Sequence, residues 1–530
     1  MINALYRPWL LALCLGPLAA SMATASALSS GALPGTRQHL LTTQHAPAAQ
    51  SLETTARDYL AHLAADPANT HITLVDVAPD VVNAHTRELV VTLPSGQSTT
   101  FQLRDYATLY PGITGVVGYV PSSAPDALTD ATGQNGYDPR YYLSLAQQGE
   151  KLSGRIVVDG QLYELDNIAA TTHALIKVDE SKLPPDGEPL VADQDTTQVA
   201  PARTTPRTAR SYLRVLMVST DQMRAQSPNW LLGMAQALQN TNQYFANSEV
   251  DIQLTLAGHY DADYDETGKN SSMQLRDLAT AQPLGAVVRP IRDALSAHFV
   301  VLASKARDVC GLAWVSAVKG NTHSLVSCTG ALGHELGHNL GASHHWTSPS
   351  PSVPPYGYGY EDKAARFHTQ MKTSHGALPL FSNPLVNHIQ NPMGNAENAD
   401  AARRFNERRA TIEAFYTPGP MDMTVYASPN FSDQSCNSSV VPGSGFALAD
   451  CAGPKRWDAG VHSIKVANFQ GGKLCLQDAY DSPTVLDCFE GGYVGDWHLP
   501  DMTSDEGLPP GLKRTTVGTP GAEVRAIRYY

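Results

Sequence analysis

The 530-residue sequence holds seven cysteines, and none lies between Cys14 and Cys310. No Cys-x-x-Cys pair occurs, which excludes a compact structural zinc site built on thiolates. Beyond residue 27 no apolar run approaches the ~18 residues that a membrane-spanning helix needs. Charge is sparse at 16 %, and positive charge is the scarcer kind, with 37 Lys and Arg against 50 Asp and Glu and a formal net charge of −13. That balance speaks against nucleic acid or an anionic membrane surface as partner. Hydrophobic content, 42 %, is ordinary for a folded chain, and the length calls for roughly two to four domains.

The one marked apolar stretch stands at the start. Arg7 supplies a basic head, Trp9–Ala20 an apolar core too short to span a bilayer, and Ala23-Thr24-Ala25 or Ala25-Ser26-Ala27 a small-residue cleavage site. Residues 1–27 therefore read as a secretory signal, and Leu13 before Cys14 does not suit lipid attachment. The expected location is secreted and extracellular. Six cysteines remain after the signal: Cys310, Cys328, Cys436, Cys451, Cys475 and Cys488. An even set in an exported chain predicts three disulfides; of the fifteen connectivities allowed, neighbour pairing keeps each bond inside one predicted domain.

The densest chemistry lies in His334-Glu335-Leu336-Gly337-His338-Asn339-Leu340-Gly341-Ala342-Ser343-His344. On a helix, His334 and His338 are one turn apart on one face, where two imidazoles can share a Zn²⁺. Glu335 points to the edge of that face, too far round to ligate, where it can take a proton from a zinc-activated water. Gly341 permits the left-handed turn that ends a helix and swings His344 under the metal. Three nitrogens leave a fourth position open, the pattern of a catalytic site. Chance alone brings five such positions together in roughly one chain of this length in ten thousand or fewer.

Residues 28–182 are expected to fold as a β-rich unit, with strands at His71–Asp76 and Glu88–Leu93 and a hairpin across Gly154–Leu165 turning at Asp159-Gly160. Residues 183–210, rich in Pro, Asp, Thr and Ala, read as a linker whose Arg203, Arg207 and Arg210 offer cleavage sites. A signal, a folded region, a cuttable linker and then a catalytic motif is the order of a zymogen, so 28–182 is read as a propeptide; a permanent N-terminal binding domain is the alternative. Residues 211–418 alternate strands with helices up to the motif: Tyr212–Val218, Asn229–Asn247, Val250–Ala257, Ser272–Ala281, Gly285–Ala297, His298–Ser304, Cys310–Val315 and Ser324–Ser327. Asn398–Phe415 reads as a helix with Arg403, Arg404, Arg408 and Arg409 on a solvated face, before the break at Pro418-Gly419-Pro420. Residues 421–530, with four cysteines, read as a small disulfide-bonded all-β domain.

The eleven-residue motif matches the metzincin signature HExxHxxGxxH, and residues 150–415 resemble the bacterial peptidyl-Asp metalloendopeptidases, a reprolysin-like group. The Tyr356-Gly357-Tyr358-Gly359-Tyr360 run, Leu183-Pro184-Pro185 and Arg366–Met371 followed by Phe381-Ser382-Asn383-Pro384 carry that similarity. The resemblance implies an α+β metzincin catalytic domain, a mixed sheet plus a zinc-bearing helix. It also implies a Met-turn beneath the metal, assigned to Met371 rather than Met393. The substrate is then expected to lie along Gly311, Leu312, Ala313 and Trp314. Lys372, just after the Met-turn, would favour an acidic residue after the cut bond. Three features depart from the family pattern: His345 where Asp is usual after the third ligand, Thr373 where many members have Tyr, and no cysteine in 28–309 to silence the zinc. The segments Met423–Phe431 and Gly460–Val466 are weakly similar to a βγ-crystallin Greek key.

The sequence thus predicts a secreted zinc endopeptidase acting on protein or peptide substrates, with one catalytic Zn²⁺ held by His334, His338 and His344 and Glu335 as general base. The alternative is a secreted binding protein acting through its C-terminal β-domain, its zinc site vestigial.

Overall fold

The computed structural model of the chain describes residues 36–42, 52–191, 210–416 and 421–529, apart from short stretches inside those spans. The expected signal segment 1–27, Arg203, Arg207 and the expected break at Pro418-Gly419-Pro420 lie outside the described residues.

Among the described residues, ten strands form the N-terminal sheet. From Ser98–Tyr110 through Ile113–Pro121, Tyr137–Gln148, Lys151–Val158, Gln161–Ala169 and Thr172–Val178 it runs as an antiparallel meander. Burial along Lys151–Val158 alternates residue by residue, as a strand with one face on a core requires. The hairpin that follows turns at Asp159 and Gly160, both with positive φ (52° and 78°), which suits a tight two-residue connection.

Residues 211–326 are built on a five-stranded sheet in the order Ile252–Asp261, Ser211–Ser219, Phe299–Ala303, His323–Val326, Gly311–Ala313. The first four strands are parallel and Gly311–Ala313 is an antiparallel edge. Ser211–Ser219 is buried along nearly its whole length, as befits a central strand covered on both faces. The helix Trp230–Asn247 packs its apolar side on this sheet and turns its other side to the N-terminal one. That second side mixes apolar Leu232 and Ala235, packed on Ile113 and Ala146, with amides: Asn240 accepts from Tyr142 Oη at 2.7 Å, and Asn229 Nδ2 donates to Asn167 O at 2.8 Å. Gln236, Gln239 and Gln243 are buried with them.

The helix Ala401–Glu413 departs from expectation. Of its four arginines only Arg403 is exposed; Arg404, Arg408 and Arg409 are half-buried. The helix lies against the core of this sheet region rather than on its rim, so Arg404 Nε donates to Gly341 O (3.3 Å) and Arg409 Nη1 to Ser211 Oγ (3.2 Å).

The disulfides are Cys310–Cys328, Cys436–Cys451 and Cys475–Cys488, each joining sequence neighbours as expected. The last two staple a seven-stranded antiparallel sheet between Met421 and Tyr529. Tyr212 Oη ties the five-stranded sheet to this one by donating to Glu490 Oε1 at 2.8 Å. Inside the sheet, Arg514 and Asp487 form a pair whose side chains are 3 % and 0 % exposed, Nε reaching Oδ1 at 2.9 Å and Nη2 reaching Oδ2 at 2.5 Å. Removing one member leaves a buried charge without its partner. Arg514→Met is therefore expected to destabilise this sheet by about 3–5 kcal/mol, and adding Asp487→Leu to recover most of that loss. Hydrogen exchange of Val485–Leu499 and Leu512–Thr516 checks it; a loss under about 1 kcal/mol in the single variant contradicts the assignment.

Candidate metal centre

The helix Leu332–Asn339 has only eight residues, and all are buried. So short a helix is held by its surroundings rather than by propensity. Leu332 and Leu336 enter the main core, and Asn339 Nδ2 donates to Trp314 O (2.8 Å) and His323 O (3.2 Å), fastening the helix to the sheet. Two glycines let neighbours approach: a Cβ on Gly333 would stand 3.0 Å from the Tyr244 ring, and one on Gly337 would stand 2.3 Å from Met371 Sδ. Gly341, at φ +99°, closes the helix by donating to His338 O at 2.8 Å, and the chain turns back. Ser343 N then donates to Gly357 O (2.9 Å) and Gly359 N to His344 O (3.1 Å), so the Tyr-Gly run holds the third histidine in place.

The three imidazoles converge. His344 Nε2 is 3.0 Å from His334 Nε2 and 3.2 Å from His338 Nε2. Tetrahedral zinc with bonds of ~2.05 Å would set them about 3.3 Å apart. The outer nitrogens are committed elsewhere: His334 Nδ1 donates to Gln370 O at 2.6 Å and His338 Nδ1 to Ala342 O at 2.9 Å, which aims both Nε2 lone pairs inward. Burial, and then the charges of His334 and His344, hold His338 well below its ordinary pKa. His344 is brought down to about 3 by burial first and His334 second. Neutral rings keep the lone pair that a metal needs. The donor set and its spacing fit one zinc ion.

Glu335 is fully buried, and neither carboxylate oxygen has a hydrogen-bond partner. Burial, with a smaller push from Asp186, raises its pKa well above the ordinary carboxylate range. It faces the sheet edge at Gly311, where a Cβ would stand 2.3 Å from Oε1; only glycine leaves room for this carboxylate.

Met371 lies under the helix, wholly buried, one residue after the carbonyl that orients His334. Met393 belongs to a different cluster, with Leu380 and Val386. Lys372 Nζ pairs with Glu361 Oε2 at 3.6 Å. Leu312 and Trp314 face a core that also takes Leu190, and Ala313 is fully buried. The edge strand they belong to is paired with the linker. Cys310 N donates to Pro185 O (2.8 Å), Gly187 N to Gly311 O (2.9 Å), Leu190 N to Ala313 O (2.8 Å) and Val315 N to Leu190 O (2.9 Å). The linker runs parallel to the edge, and Glu188 Oε1 comes within 3.4 Å of His344 Nδ1.

Sequence reading missed Asp186, which this pairing brings beside the centre. Its carboxylate meets Thr373 and Ser374, and the charge of His334, the Thr373 hydroxyl, His375 and the Ser374 amide outweigh burial and hold its pKa below the ordinary range. The two prolines before it signalled an extended backbone, but its partners lie 187 and 188 residues on.

Residues 232–345 match the model of the reprolysin-like M12B metallopeptidase family. Three bacterial proteins named peptidyl-Asp metalloendopeptidase are similar to the chain over 55 % of its length. Those of Stenotrophomonas maltophilia strains K279a and R551-3 are 32 % and 31 % identical, with 75 % of each covered. That of Xanthomonas campestris pv. campestris is 28 % identical, with 74 % covered. Together with the three converged imidazoles, this makes zinc the metal and hydrolysis of protein or peptide substrates the activity. The chain belongs to the reprolysin-like metzincin metalloendopeptidases, the family of these bacterial enzymes.

Proposed function

We propose that the chain is an exported precursor whose peptidase region, 211–418, cuts peptide bonds with Glu335 as general base and prefers an acidic residue after the cut bond. The observation that carries the reading is Glu335: a carboxylate without a single partner, fully buried beside three imidazole nitrogens. Unpaired buried carboxylates are costly and seldom kept without use. Zinc, when bound, supplies a Lewis acid that polarises the scissile carbonyl and acidifies the attacking water. Glu335 takes that water's proton and hands it to the leaving amine, and its raised pKa suits a group that must first accept and then donate. The Gly311 edge carries no side chain beside the carboxylate, and the backbone groups that residues 185–190 now occupy are those an extended peptide would pair with once that segment leaves. The acidic preference follows the name shared by the relatives.

Residues 28–182 are proposed to be a propeptide and 183–210 its cleavable linker, with 421–530 a separate β-domain. Support comes from the helix Trp230–Asn247, which meets the N-terminal sheet largely through Gln236, Gln239, Asn240 and Gln243, side chains equally at home in water, beside a small apolar contact at Leu232 and Ala235. The signal-like start and the disulfides favour export.

Glu335→Gln should retain zinc while losing turnover by about a thousand-fold. Metal analysis beside a peptide-cleavage assay checks this, and an active variant holding one zinc removes the base role. The second expectation concerns processing. Protein collected from the medium should gain activity as its N-terminus moves from near Leu28 to near Ser211. N-terminal sequencing of the active species reads this directly; full activity in a chain still starting at Leu28 contradicts latency.

A further inference from the structure

We propose that the corner Thr373-Ser374, flanked by His375, is the receptor for the acidic side chain that follows the cut bond, and that Asp186 fills it in the uncut chain as an internal stand-in. The inference rests on the peptidase reading above and names the residues that produce its acidic preference.

The Asp186 carboxylate collects three hydrogen bonds of 2.7 Å each. Thr373 Oγ1 and Ser374 N donate to Oδ2, and Ser374 Oγ donates to Oδ1. His375 Nε2 stands 3.8 Å from Oδ1, beyond hydrogen-bond reach, and has no hydrogen-bond partner. The Asp186 side chain is 5 % exposed, so the corner encloses it. Three convergent donors around one carboxylate are chemistry for an anion, since an ionised carboxylate only accepts.

The backbone on either side of Asp186 is held as a peptide ligand's would be. Pro185 O and Gly187 N both bond to the sheet edge at Cys310 and Gly311, and a Cβ on Gly187 would come within 2.7 Å of Gly311 O. An extended segment on a sheet edge, with one side chain in a pocket, is a general mode of peptide recognition. The corner also belongs to the reaction centre. Gly311 touches Glu335, and Met371, two residues before Thr373, lies under Gly337 of the site helix. Among the described residues, the cluster of ligand atoms within 4.8 Å of one another is His334, His338 and His344, and the Asp186 carboxylate is bonded instead to Thr373 and Ser374. Lys372 is engaged by Glu361, which leaves recognition to the two hydroxyls, the Ser374 amide and His375.

The test uses the full-length protein and paired peptides that differ only in Asp or Asn after the cut bond. Thr373→Val and Ser374→Ala should each lower the Asp-to-Asn ratio of kcat/KM by about ten- to a hundred-fold, whereas Thr373→Ser, which keeps the hydroxyl, should retain it. Asp186→Ala should raise the initial rate on the Asp peptide by about ten-fold or more, because the corner is no longer filled from within. A synthetic peptide of residues 183–190 should inhibit that variant, and the same peptide carrying Asp186→Asn should inhibit far less. Zinc content and circular dichroism of each variant check folding. An Asp preference that survives unchanged in folded Thr373→Val and Ser374→Ala overturns the corner while leaving the peptidase reading intact. An unchanged rate in Asp186→Ala together with no inhibition by the peptide overturns the stand-in. A wild-type enzyme with no acidic preference overturns the acidic reading and the corner with it.

Discussion

Three imidazoles can meet only if two segments remote from the motif helix are pressed against it, and the contact that permits this is Met371 under Gly337. Any side chain at 337 would occupy the place of the sulfur, 2.3 Å from its Cβ. With Met371 in that position, the carbonyl of Gln370 reaches His334 Nδ1 and fixes the ring. The same turn is locked from below by Gly359, where a Cβ would strike Lys372 N at 2.2 Å. Gly359 in turn bonds to His344 O, so a single close approach couples the third ligand to the first. The helix contributes two ligands and the base; the approach of the turn beneath it makes them a site.

Around this contact the protein places its polar groups unevenly. The imidazoles and Asp186 are bonded on sides that do not face the centre, while Glu335 is left bare. A low-dielectric pocket makes such an unpaired group expensive. Asn339, one turn beyond, commits its Nδ2 to two carbonyls and anchors the helix, while its Oδ1, like the Glu335 oxygens, has no partner. Stability and reactivity are thus assigned to neighbouring residues on one short helix.

Much of this was legible in the residues. The His334–His344 spacing located the ligands, because helix periodicity and a glycine turn are local rules. Asp159-Gly160 marked a hairpin, and the neighbour-paired cysteines followed from domain order. What escaped was non-local. Asp186 looks like any linker acid until the edge strand draws it to Ser374. The arginines of Ala401–Glu413 have the composition of a wet face, but the Gly341 carbonyl and Ser211 hydroxyl that receive two of them come from other elements. Gln236, Gln239, Asn240 and Gln243 would also be read as surface from composition alone, and they are buried because a second sheet covers them.

That amide-lined face has a consequence for solubility. A helix held between two sheets ordinarily carries apolar side chains all round, and separating the sheets would uncover a sticky stripe prone to self-association. Here the face turned to the N-terminal sheet intersperses amides with Leu232 and Ala235, and water can take over each bond that Tyr119, Tyr142 or Asn167 now makes with the helix. Parting the two layers would uncover a patch centred on Leu232 and Ala235 of the helix and Ile113 and Ala146 of the sheet, rather than a continuous apolar stripe.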